Sequence, residues 1–293
     1  MKKMEIGGIK VKVFIFGAEC GLGKHLIEKL KKQHEVYINN SKPHSDSINI
    51  PLNVFLVEDL KNILNQMDKV IYITHKSALP SAYLQGDLHY MHVWAIENIQ
   101  HVSSKNNNPN LYILNTGKLH NANFEHTFNS QKVKVVDVTS SNLIDNLNST
   151  VQFFKNKSKK VYSFQYLTLQ KLTNARQLVN KYEDYLKKTS FELIQVDQTA
   201  TTFDIRLKGL SYPLIKLEKV YCSPTQFILK VTGGLLVNTK QDNKATFEFR
   251  ITRNHLSCVT ALCHFKPALP WWLYLISQAQ IHKWVMVHFT KYI

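Results

Sequence analysis

The sequence is poor in several features whose scarcity limits what the chain can be. Among its 293 residues there are four cysteines, none of them in a Cys-x-x-Cys pair: Cys20, Cys222, Cys258 and Cys263. This spacing argues against a disulfide framework and against a cysteine-based metal site. Acidic residues are outnumbered, 21 against 37 Lys and Arg, which gives a net charge of +16. No unbroken apolar run reaches the ~20 residues that a bilayer-spanning helix needs.

The excess of positive charge indicates attraction to an anionic surface, and two such surfaces have to be distinguished. No basic stripe interleaved with aromatics and no helix-turn-helix or finger pattern occurs, so no nucleic-acid partner is expected. The terminal segment Leu269–Ile293 carries Trp271, Trp272 and Trp284 but is interrupted by polar residues. It predicts a core helix packed on a sheet, with peripheral membrane contact by its Trp-rich start as the alternative.

The expected location follows from the first residues and from the cysteines. Met1–Glu5 lack the apolar run of a secretory leader. The scattered cysteines are typical of free thiols in a reducing compartment. We therefore expect a cytoplasmic protein.

Glycine is also scarce, yet three of the 10 glycines lie within seven positions. An apolar run, Val11–Phe16, precedes them, and an amphipathic run with Leu26 and Ile27 follows. The pattern predicts a buried strand that turns tightly into a helix, whose first N–H groups point at whatever lies above the turn. Such a turn binds the diphosphate of a dinucleotide, and a purely structural turn is the alternative. The candidate binding residues are Gly17, Glu19, Cys20, Gly21, Leu22 and Gly23.

The first half of the chain alternates between apolar runs and helical patterns, which predicts a parallel sheet covered by helices. The predicted strands are Val11–Phe16, Glu35–Asn39, Ile48–Val54, Lys69–Thr74, Leu111–Asn115 and Lys134–Val138. The predicted helices are Gly21–Gln33, Val57–Gln66, Tyr83–Ser103 and Ser140–Phe154. The polar, charged segment Lys155–Lys160 marks the expected boundary between a domain at 1–157 and a second at 158–293.

The second half predicts a different architecture. A helix at Asn174–Lys188 precedes a series of strands separated by turn residues, and one long terminal helix follows them. The predicted strands are Phe191–Val196, Thr202–Leu207, Leu214–Tyr221, Gln226–Thr232, Thr246–Thr252 and Leu256–Phe265. This order indicates an α+β domain with an antiparallel sheet wrapped around a helix.

The first half resembles the atypical short-chain dehydrogenases/reductases, the NAD(P)H-binding branch related to nucleotide-sugar epimerases. The matching pieces are the glycine turn, the strand Val70–His75, the long helix Asp87–Ser103, and the strands Leu111–Asn115 and Val135–Val138. The resemblance implies a Rossmann-like, doubly wound parallel sheet. It also implies hydride transfer between a nicotinamide cofactor and a carbonyl or quinone compound.

The second half resembles a START-like (helix-grip) domain of unknown function that is found fused behind such reductase domains. The matching segments are Thr232–Leu236, Glu248–Arg250, Phe265–Trp272 and Gln278–His282. The resemblance implies a cavity for an apolar small-molecule ligand. Glu248 and Arg250 alternate on one strand, and the terminal helix could bring His282 to them, so these three are the candidate cavity residues; a solvent-facing ion pair is the alternative.

The chain departs from the reductase pattern at positions that matter for catalysis. Cys20 stands where a glycine is usual, and Asn53 replaces an acidic residue that contacts adenine. Within the first half of the chain, the one Tyr-x-x-x-Lys, Tyr72 to Lys76, lies on a strand where the tyrosine should point into the sheet. Without that pair the usual proton relay is missing. A non-catalytic NADPH-binding sensor or scaffold is therefore the alternative to a reductase.

Two further groups of residues bear on the cofactor. The end of the second strand offers no acid to hold a ribose diol and one cation to attract a 2′-phosphate, which favours NADP(H) over NAD(H): Asn39, Asn40, Ser41 and Lys42. Four residues are placed beside the nicotinamide, and an open polar space there would favour a reductase and a closed one a sensor: Thr74, His75, Asn115 and Thr116. His89 and His92 share a helix face, but we expect solvated surface histidines and no metal site.

Overall fold

The computed structural model describes residues 10–39, 47–104, 110–117, 133–138, 159–189, 193–239, 244–252 and 255–293. The chain forms two compact units. The first contains Met1–Ser81 and Met91–Gln152, and the second contains Ala82–Tyr90 and Phe153–Ile293. The predicted division between residues 157 and 158 falls outside the described residues and stays a prediction.

The first unit is built on a six-stranded parallel sheet. Its strands are Lys12–Phe16 (β1), Glu35–Ile38 (β2), Ile48–Asn49 (β3), Lys69–Ile73 (β4), Asn110–Asn115 (β6) and Val133–Asp137 (β7), while Tyr83–Gln85 (β5) belongs to the other unit. The order across the sheet is β3-β2-β1-β4-β6-β7. Counted within this unit, that order is 3-2-1-4-5-6, which is the order of the Rossmann fold. The predicted parallel sheet is confirmed.

Helices cover both faces of this sheet. They are Gly21–Leu30 (α1), Val57–Leu64 (α2) and Leu88–Ser104 (α3). Ile27 of α1 packs in one cluster with Val13 and Ile15 of β1. Phe16 of β1 is paired with Tyr72 of β4, so both side chains lie on the face opposite to Val13 and Ile15. On that face Tyr72 contacts His92 of α3. Because successive strand side chains point to opposite faces, α1 and α3 lie on opposite sides of the sheet, as in a doubly wound fold.

The helix predicted at Tyr83–Ser103 is wrong at its start. The helix α3 begins at Leu88, after Asp87, whose Oδ1 accepts a hydrogen bond from the N–H of His89 at 2.7 Å. Aspartate at this position satisfies an N–H that has no partner inside the helix. The residues before it form β5, which pairs in parallel with the strand Val161–Thr168 (β8) of the second unit.

The second unit contains an eight-stranded sheet in the order β5-β8-β14-β13-β12-β11-β10-β9. All neighbours are antiparallel except β5 and β8. Besides β5 and β8 the strands are Ile194–Gln198 (β9), Thr202–Leu207 (β10), Ile215–Cys222 (β11), Gln226–Gly233 (β12), Thr246–Ile251 (β13) and Ser257–Phe265 (β14). An antiparallel sheet was predicted here, but β8 was missed.

Helices pack on one face of this second sheet. They are Ala175–Thr189 (α4), Trp271–Ile276 (α5) and Gln278–Tyr292 (α6). Tyr182 of α4 has ring contacts with Phe249 of β13 and Phe289 of α6 at 5.8 and 5.1 Å. The predicted single terminal helix is wrong, because the backbone leaves the helical conformation at Ser277 (φ −120°, ψ −84°). The finer helix-grip character stays a prediction.

The remaining differences from the predicted elements are shorter or displaced strands. β3 covers two residues instead of Ile48–Val54. The strand predicted to start at Phe191 is observed as β9, and the predicted helix Ser140–Phe154 lies outside the described residues. No helix within the described ranges has the length and apolar character required to cross a bilayer.

Candidate functional site

The turn between β1 and α1 lies at the carboxyl end of the central strand of the parallel sheet, where such folds bind ligands. Gly17 adopts φ +83°, and a Cβ at this position would lie 3.1 Å from both the Cβ and the carbonyl oxygen of Ile73. The left-handed backbone and the close approach of β4 therefore both require glycine. The turn closes with a hydrogen bond of 3.3 Å from the N–H of Cys20 to the carbonyl of Gly17.

The last glycine of the turn serves the packing of α1 on β1. A Cβ at Gly23 would lie 2.5 Å from the Cα of Ala18, so no larger residue fits without moving the helix. The same role belongs to the third glycine of dinucleotide-binding turns. Cys20, which replaces an expected glycine, is the N-cap of α1, and its Sγ accepts a hydrogen bond from the N–H of Gly23 at 3.3 Å. Its side chain belongs to the same buried cluster as Val13 and Ile15.

The first helical N–H groups of α1 are available to a ligand. Among the described residues, the N–H groups of Gly21 and Leu22 have no hydrogen-bond acceptor. The first turn of α1 contains no acidic residue, whereas the first turn of α2 contains Glu58 and Asp59. Acidic side chains stabilise the positive end of a helix dipole, and α1 lacks that stabilisation. The N-terminus of α1 is therefore suited to a bound anion such as a diphosphate.

The two predicted asparagines beside this turn are both described. Asn39 directly follows β2, and its Oδ1 accepts a hydrogen bond from the N–H of Leu52 at 2.8 Å. Asn53 precedes α2, and its Oδ1 accepts from the N–H of Phe55 at 3.0 Å. Both side chains thus hold loops at the carboxyl edge of the sheet. The other predicted ribose-side residues, Asn40, Ser41 and Lys42, lie outside the described residues, and Glu19 is exposed at the turn.

The polar residues at the ends of β4 and β6 are bonded to one another. The Oγ1 of Thr74 accepts a hydrogen bond from the N–H of Thr116 at 2.9 Å, and the Oγ1 of Thr116 donates to the carbonyl of Thr74 at 2.8 Å. Asn115 accepts from the N–H of Gly117 at 3.1 Å and donates its Nδ2 to Asp137 at 2.8 Å. Thr74 is fully buried, and Asn115 and Thr116 are 9% and 7% exposed.

His75 belongs to this same closed region. It is 6% exposed, and its Nδ1 lies 2.8 Å from the Oγ of Ser77 and accepts from the N–H of Ser77 at 3.2 Å. Its ring therefore caps the short 3₁₀ turn Lys76–Ala78 that follows β4. The four residues placed beside the nicotinamide by sequence are all buried at the strand ends. Thr74, Asn115 and Thr116 form hydrogen bonds between strands, whereas His75 bonds within its own turn.

Tyr72 does not reach this edge. It is fully buried, and its hydroxyl lies 2.7 Å from the Nδ1 of His92 on α3. Burial raises the pKa of Tyr72 well above its ordinary value, so it is a poor proton donor at neutral pH. The tyrosine of the Tyr72–Lys76 motif therefore points into the sheet, as predicted. His92, predicted to be solvated, is fully buried, and that prediction is wrong.

In the second unit, the structure separates the three predicted cavity residues. Glu248 is 7% exposed, and its carboxylate accepts from Thr246 at 3.0 Å and from the Nη2 of Arg250 at 3.1 Å. His282 instead contacts Phe247, which points to the opposite face of β13, with the ring centroids 6.4 Å apart. Burial lowers the pKa of His282 to about 4. Glu248 and Arg250 thus form a buried ion pair on one face, and His282 packs on the other.

No metal site was predicted, and the described part of the chain holds no group of three or more His, Cys, Asp or Glu residues that could bind an ion. Two polar contacts that shape the candidate site were not predicted from the sequence. Asp137 at the end of β7 orders Asn115, and Asn98 of α3 donates its Nδ2 to the carbonyl of Val54 at 3.0 Å. Neither contact follows from local patterns, because each joins residues that are distant in sequence.

Fold and turn together define the first unit as a Rossmann-like α/β unit with a glycine-rich β1–α1 turn. No protein-family model matches the chain. It is similar to the auxiliary protein GraX of Staphylococcus aureus, with 20% identity over 287 residues, 96% of this chain and 92% of that protein.

Part of the chain is also similar to solved structures of nucleotide-sugar and sugar-acid enzymes. UDP-N-acetylglucosamine 4-epimerase from Bacillus cereus matches with 18% identity and a TM-score of 0.29, over 41% of this chain and 40% of that one. WbmG of Bordetella bronchiseptica, solved in complex with NAD, matches with 19% identity and a TM-score of 0.29, over 38% and 39%. This chain thus spans less than half the length of those enzymes. The assignment of the fold rests on the strand order and the turn, not on these matches.

Proposed function

We propose that the first unit binds NADP(H) at the β1–α1 turn as a sensor or scaffold, without hydride transfer. The observation that carries this proposal is a contrast along one sheet edge. At the α1 end, the N–H groups of Gly21 and Leu22 have no acceptor among the described residues. At the ends of β4 and β6, Thr74 and Thr116 satisfy each other. The edge is therefore suited to hold a diphosphate and poorly suited to hold a reacting carbonyl.

The described residues show no proton relay, which supports the same proposal. A reductase that delivers hydride to a carbonyl also needs a group that protonates the developing alkoxide. Tyr72 has its hydroxyl on the far side of the strand, bonded to His92. The described residues at the edge offer hydroxyls that are buried and bonded, such as Thr74. A reductase of a carbonyl or quinone compound remains the alternative that a turnover assay tests.

NADP(H) is proposed over NAD(H) because of the end of β2. An acid at this point holds the 2′- and 3′-hydroxyls of NAD and repels a 2′-phosphate. Asn39 occupies the position, and its Oδ1 already accepts from the N–H of Leu52. The last described residue at the end of β2 is therefore not a carboxylate that would oppose the phosphate.

The similarity to the auxiliary protein GraX, although only 20%, extends over almost the whole of both chains. The name of that relative describes an auxiliary role, which agrees with our proposal of a protein that binds a cofactor and acts on a partner. The four free cysteines support the cytoplasmic location that we propose with it, since disulfides are typical of oxidising compartments. An apolar ligand in the second unit stays a prediction.

Binding and turnover can be tested separately. Binding is measured as the change in NADPH fluorescence while the purified protein is added. Turnover is then measured as consumption of NADPH in the presence of a panel of aldehydes, ketones and quinones. We expect saturable binding and no consumption above the rate without protein. Saturable binding with turnover would support the reductase alternative instead. No binding of either nucleotide would contradict the proposal.

A second candidate function, contact with an anionic membrane surface, is supported by the last two helices. Large apolar side chains on them are strongly exposed: Trp272, Ile276, Ile281, Trp284 and Val287. Lys283 and Lys291 are exposed on α6 as well. Exposed tryptophans next to lysines are typical of interfacial helices, and a net charge of +16 favours anionic lipid.

Vesicle sedimentation tests this second candidate. We expect binding to vesicles that contain phosphatidylserine, little binding to pure phosphatidylcholine, and release by salt. Trp284→Ser should weaken binding, whereas Tyr212→Ser, an exposed aromatic in the loop between β10 and β11, should not. Equal binding to both vesicle types, or none at low salt, would remove this candidate.

A further inference from the structure

A pocket of about 280 Å³ lies within the second unit, between α4 and the strand β11. Arg176 and Asn180 line it from α4, and Lys219 and Cys222 line it from β11. Arg176 and Asn180 are four residues apart and so share one face of their helix. Phe227, which is 3% exposed, is a further apolar lining residue. The volume is near the lower end of the range for small-molecule sites, roughly 300 Å³.

A β-bulge in β11 aims its side chains into this pocket. Lys219 is paired with Leu229 and Cys222 with Phe227, and the register shifts between Lys219 and Tyr221. Leu229 and Phe227 both belong to the core under the helices. In a regular strand, residues three apart point to opposite faces, so the extra residue Val220 brings Lys219 and Cys222 to the same side. Bulges of this kind are common beside binding sites.

Two positive charges line the pocket, and Glu183, whose carboxylate partly offsets the charge of Lys219, is itself paired with Lys187 at 2.6 Å. Among the described residues, neither Arg176 nor Lys219 lies within ion-pair distance of an acid. The Nη2 of Arg176 donates to the Sγ of Cys222 at 3.4 Å, and the Nζ of Lys219 donates to the carbonyl of Thr199 at 2.6 Å. Burial and the neighbouring charge of Arg176 lower the pKa of Lys219, and the carboxylate of Glu183 opposes this shift in part. Like charges this close repel each other. A bound anion would relieve that repulsion.

We propose that this pocket binds a small molecule through a phosphate or carboxylate group held by Arg176 and Lys219. A guanidinium has five N–H donors, of which the thiol uses one, so Arg176 can pair with two oxygens of the anion. The amides of Asn180 and Gln198 can donate to its remaining oxygens. Phe227 contacts the apolar part of the molecule. The pocket would bind a ligand independently of the β1–α1 turn, because every residue that lines it belongs to the second unit.

Cys222 provides a local reporter for this site. It is the exposed cysteine, whereas Cys20, Cys258 and Cys263 are buried. The rate at which the neutral reagent iodoacetamide alkylates Cys222 is measured by mass spectrometry with inorganic phosphate, with succinate, and with chloride at the same ionic strength. We expect a saturable slowing by phosphate or succinate and none by chloride. Whichever anion protects more strongly identifies the preferred group.

Variants distinguish anion binding in the pocket from non-specific attraction of anions to the net positive charge of the protein. Lys219→Gln and Arg176→Gln should each weaken protection at least about fivefold, since each removes a charge-assisted contact. Lys230→Gln removes one exposed charge from the neighbouring strand β12 and should leave protection unchanged. The melting temperature of each variant shows whether it is folded, and two independent pocket variants keep the test decisive. Protection no greater than with chloride, or equal losses in all three variants, would overturn the proposal.

Discussion

Two halves of one sheet edge in the first unit use their polar groups differently. At the end of β1, the turn through Gly17 leaves the N–H groups of Gly21 and Leu22 without acceptors among the described residues. At the ends of β4 and β6, Thr74 and Thr116 exchange hydrogen bonds of 2.9 and 2.8 Å. One half can gain hydrogen bonds from a ligand, and the other already has them.

Under the proposed function, this difference would let the first unit bind a nucleotide without catalysing hydride transfer. Donors that are fixed by a helix cost no reorganisation when an anion arrives, so the binding half is prepared in advance. Opening the other half would break buried hydrogen bonds, each worth about 0.5–1.5 kcal/mol. The following predictions test whether the two halves are separable, from the largest expected effect to the smallest.

The largest effect is expected from Gly23→Ala. The added methyl would lie 2.5 Å from the Cα of Ala18, so α1 must move away from β1. Overpacking against backbone should lower the free energy of unfolding by about 3 kcal/mol, measured by urea denaturation. Gly233→Ala is the matched control, because nothing lies nearer than 3.9 Å to its added methyl. Equal stability of the two variants would show that α1 does not need this close approach.

Thr74→Val should destabilise the protein without changing NADPH affinity. The substitution keeps the shape and removes the hydroxyl that accepts from the buried N–H of Thr116. An unsatisfied buried donor costs about 2 kcal/mol. Thr74→Ser keeps the hydroxyl and should retain most of the stability. A large loss of NADPH affinity in Thr74→Val would contradict the separation, because it would mean that this half contacts the cofactor.

Gly21→Asp should lower NADPH affinity without lowering the stability of the protein. A carboxylate in the first turn of α1 occupies the positive helix end and repels a diphosphate. NADPH affinity should fall at least about tenfold, which is about 1.4 kcal/mol, while thermal stability stays the same or rises. Gln33→Glu adds the same charge beyond the other end of α1 and should bind NADPH normally. If both variants bind equally, the nucleotide does not sit on this turn.

The smallest effect is expected from Tyr72→Phe. It removes the hydrogen bond between the hydroxyl and the Nδ1 of His92, at a cost of about 1 kcal/mol in unfolding free energy. Fluorescence titration should give an unchanged NADPH affinity. If the wild-type protein turned over a carbonyl substrate and this variant did not, Tyr72 would be a catalytic residue and the sensor proposal would be wrong.

The parallel sheet of the first unit and the helix after Gly17 could be predicted because their signals are local. Buried parallel strands such as Lys12–Phe16 are continuous apolar runs, and the glycines mark the turn. The short strand Tyr83–Gln85 was predicted as helix because its partner strand β8 lies about 80 positions later in the sequence. Local patterns do not contain that pairing. A signal was present in Asp87, a strong N-cap residue, which places the helix start at Leu88.

The candidate site was only partly predictable for a similar reason. The residue types at the sheet edge were identified, but whether Thr74 and Thr116 face a ligand or each other depends on the spacing of two strands. His282 was placed with Glu248 because helix and strand faces cannot be oriented from periodicity alone. The cationic pocket depends on the bulge at Val220, and a bulge has no sequence pattern that separates it from a regular strand.

Thermal unfolding of the purified wild-type protein in increasing NADPH, with NADH and buffer alone in parallel, tests the central claim most directly. A ligand that binds only the folded state raises the melting temperature with concentration. We predict a saturable rise with NADPH and a smaller rise with NADH. No rise with either nucleotide would contradict the account, because the β1–α1 turn would then be structural only.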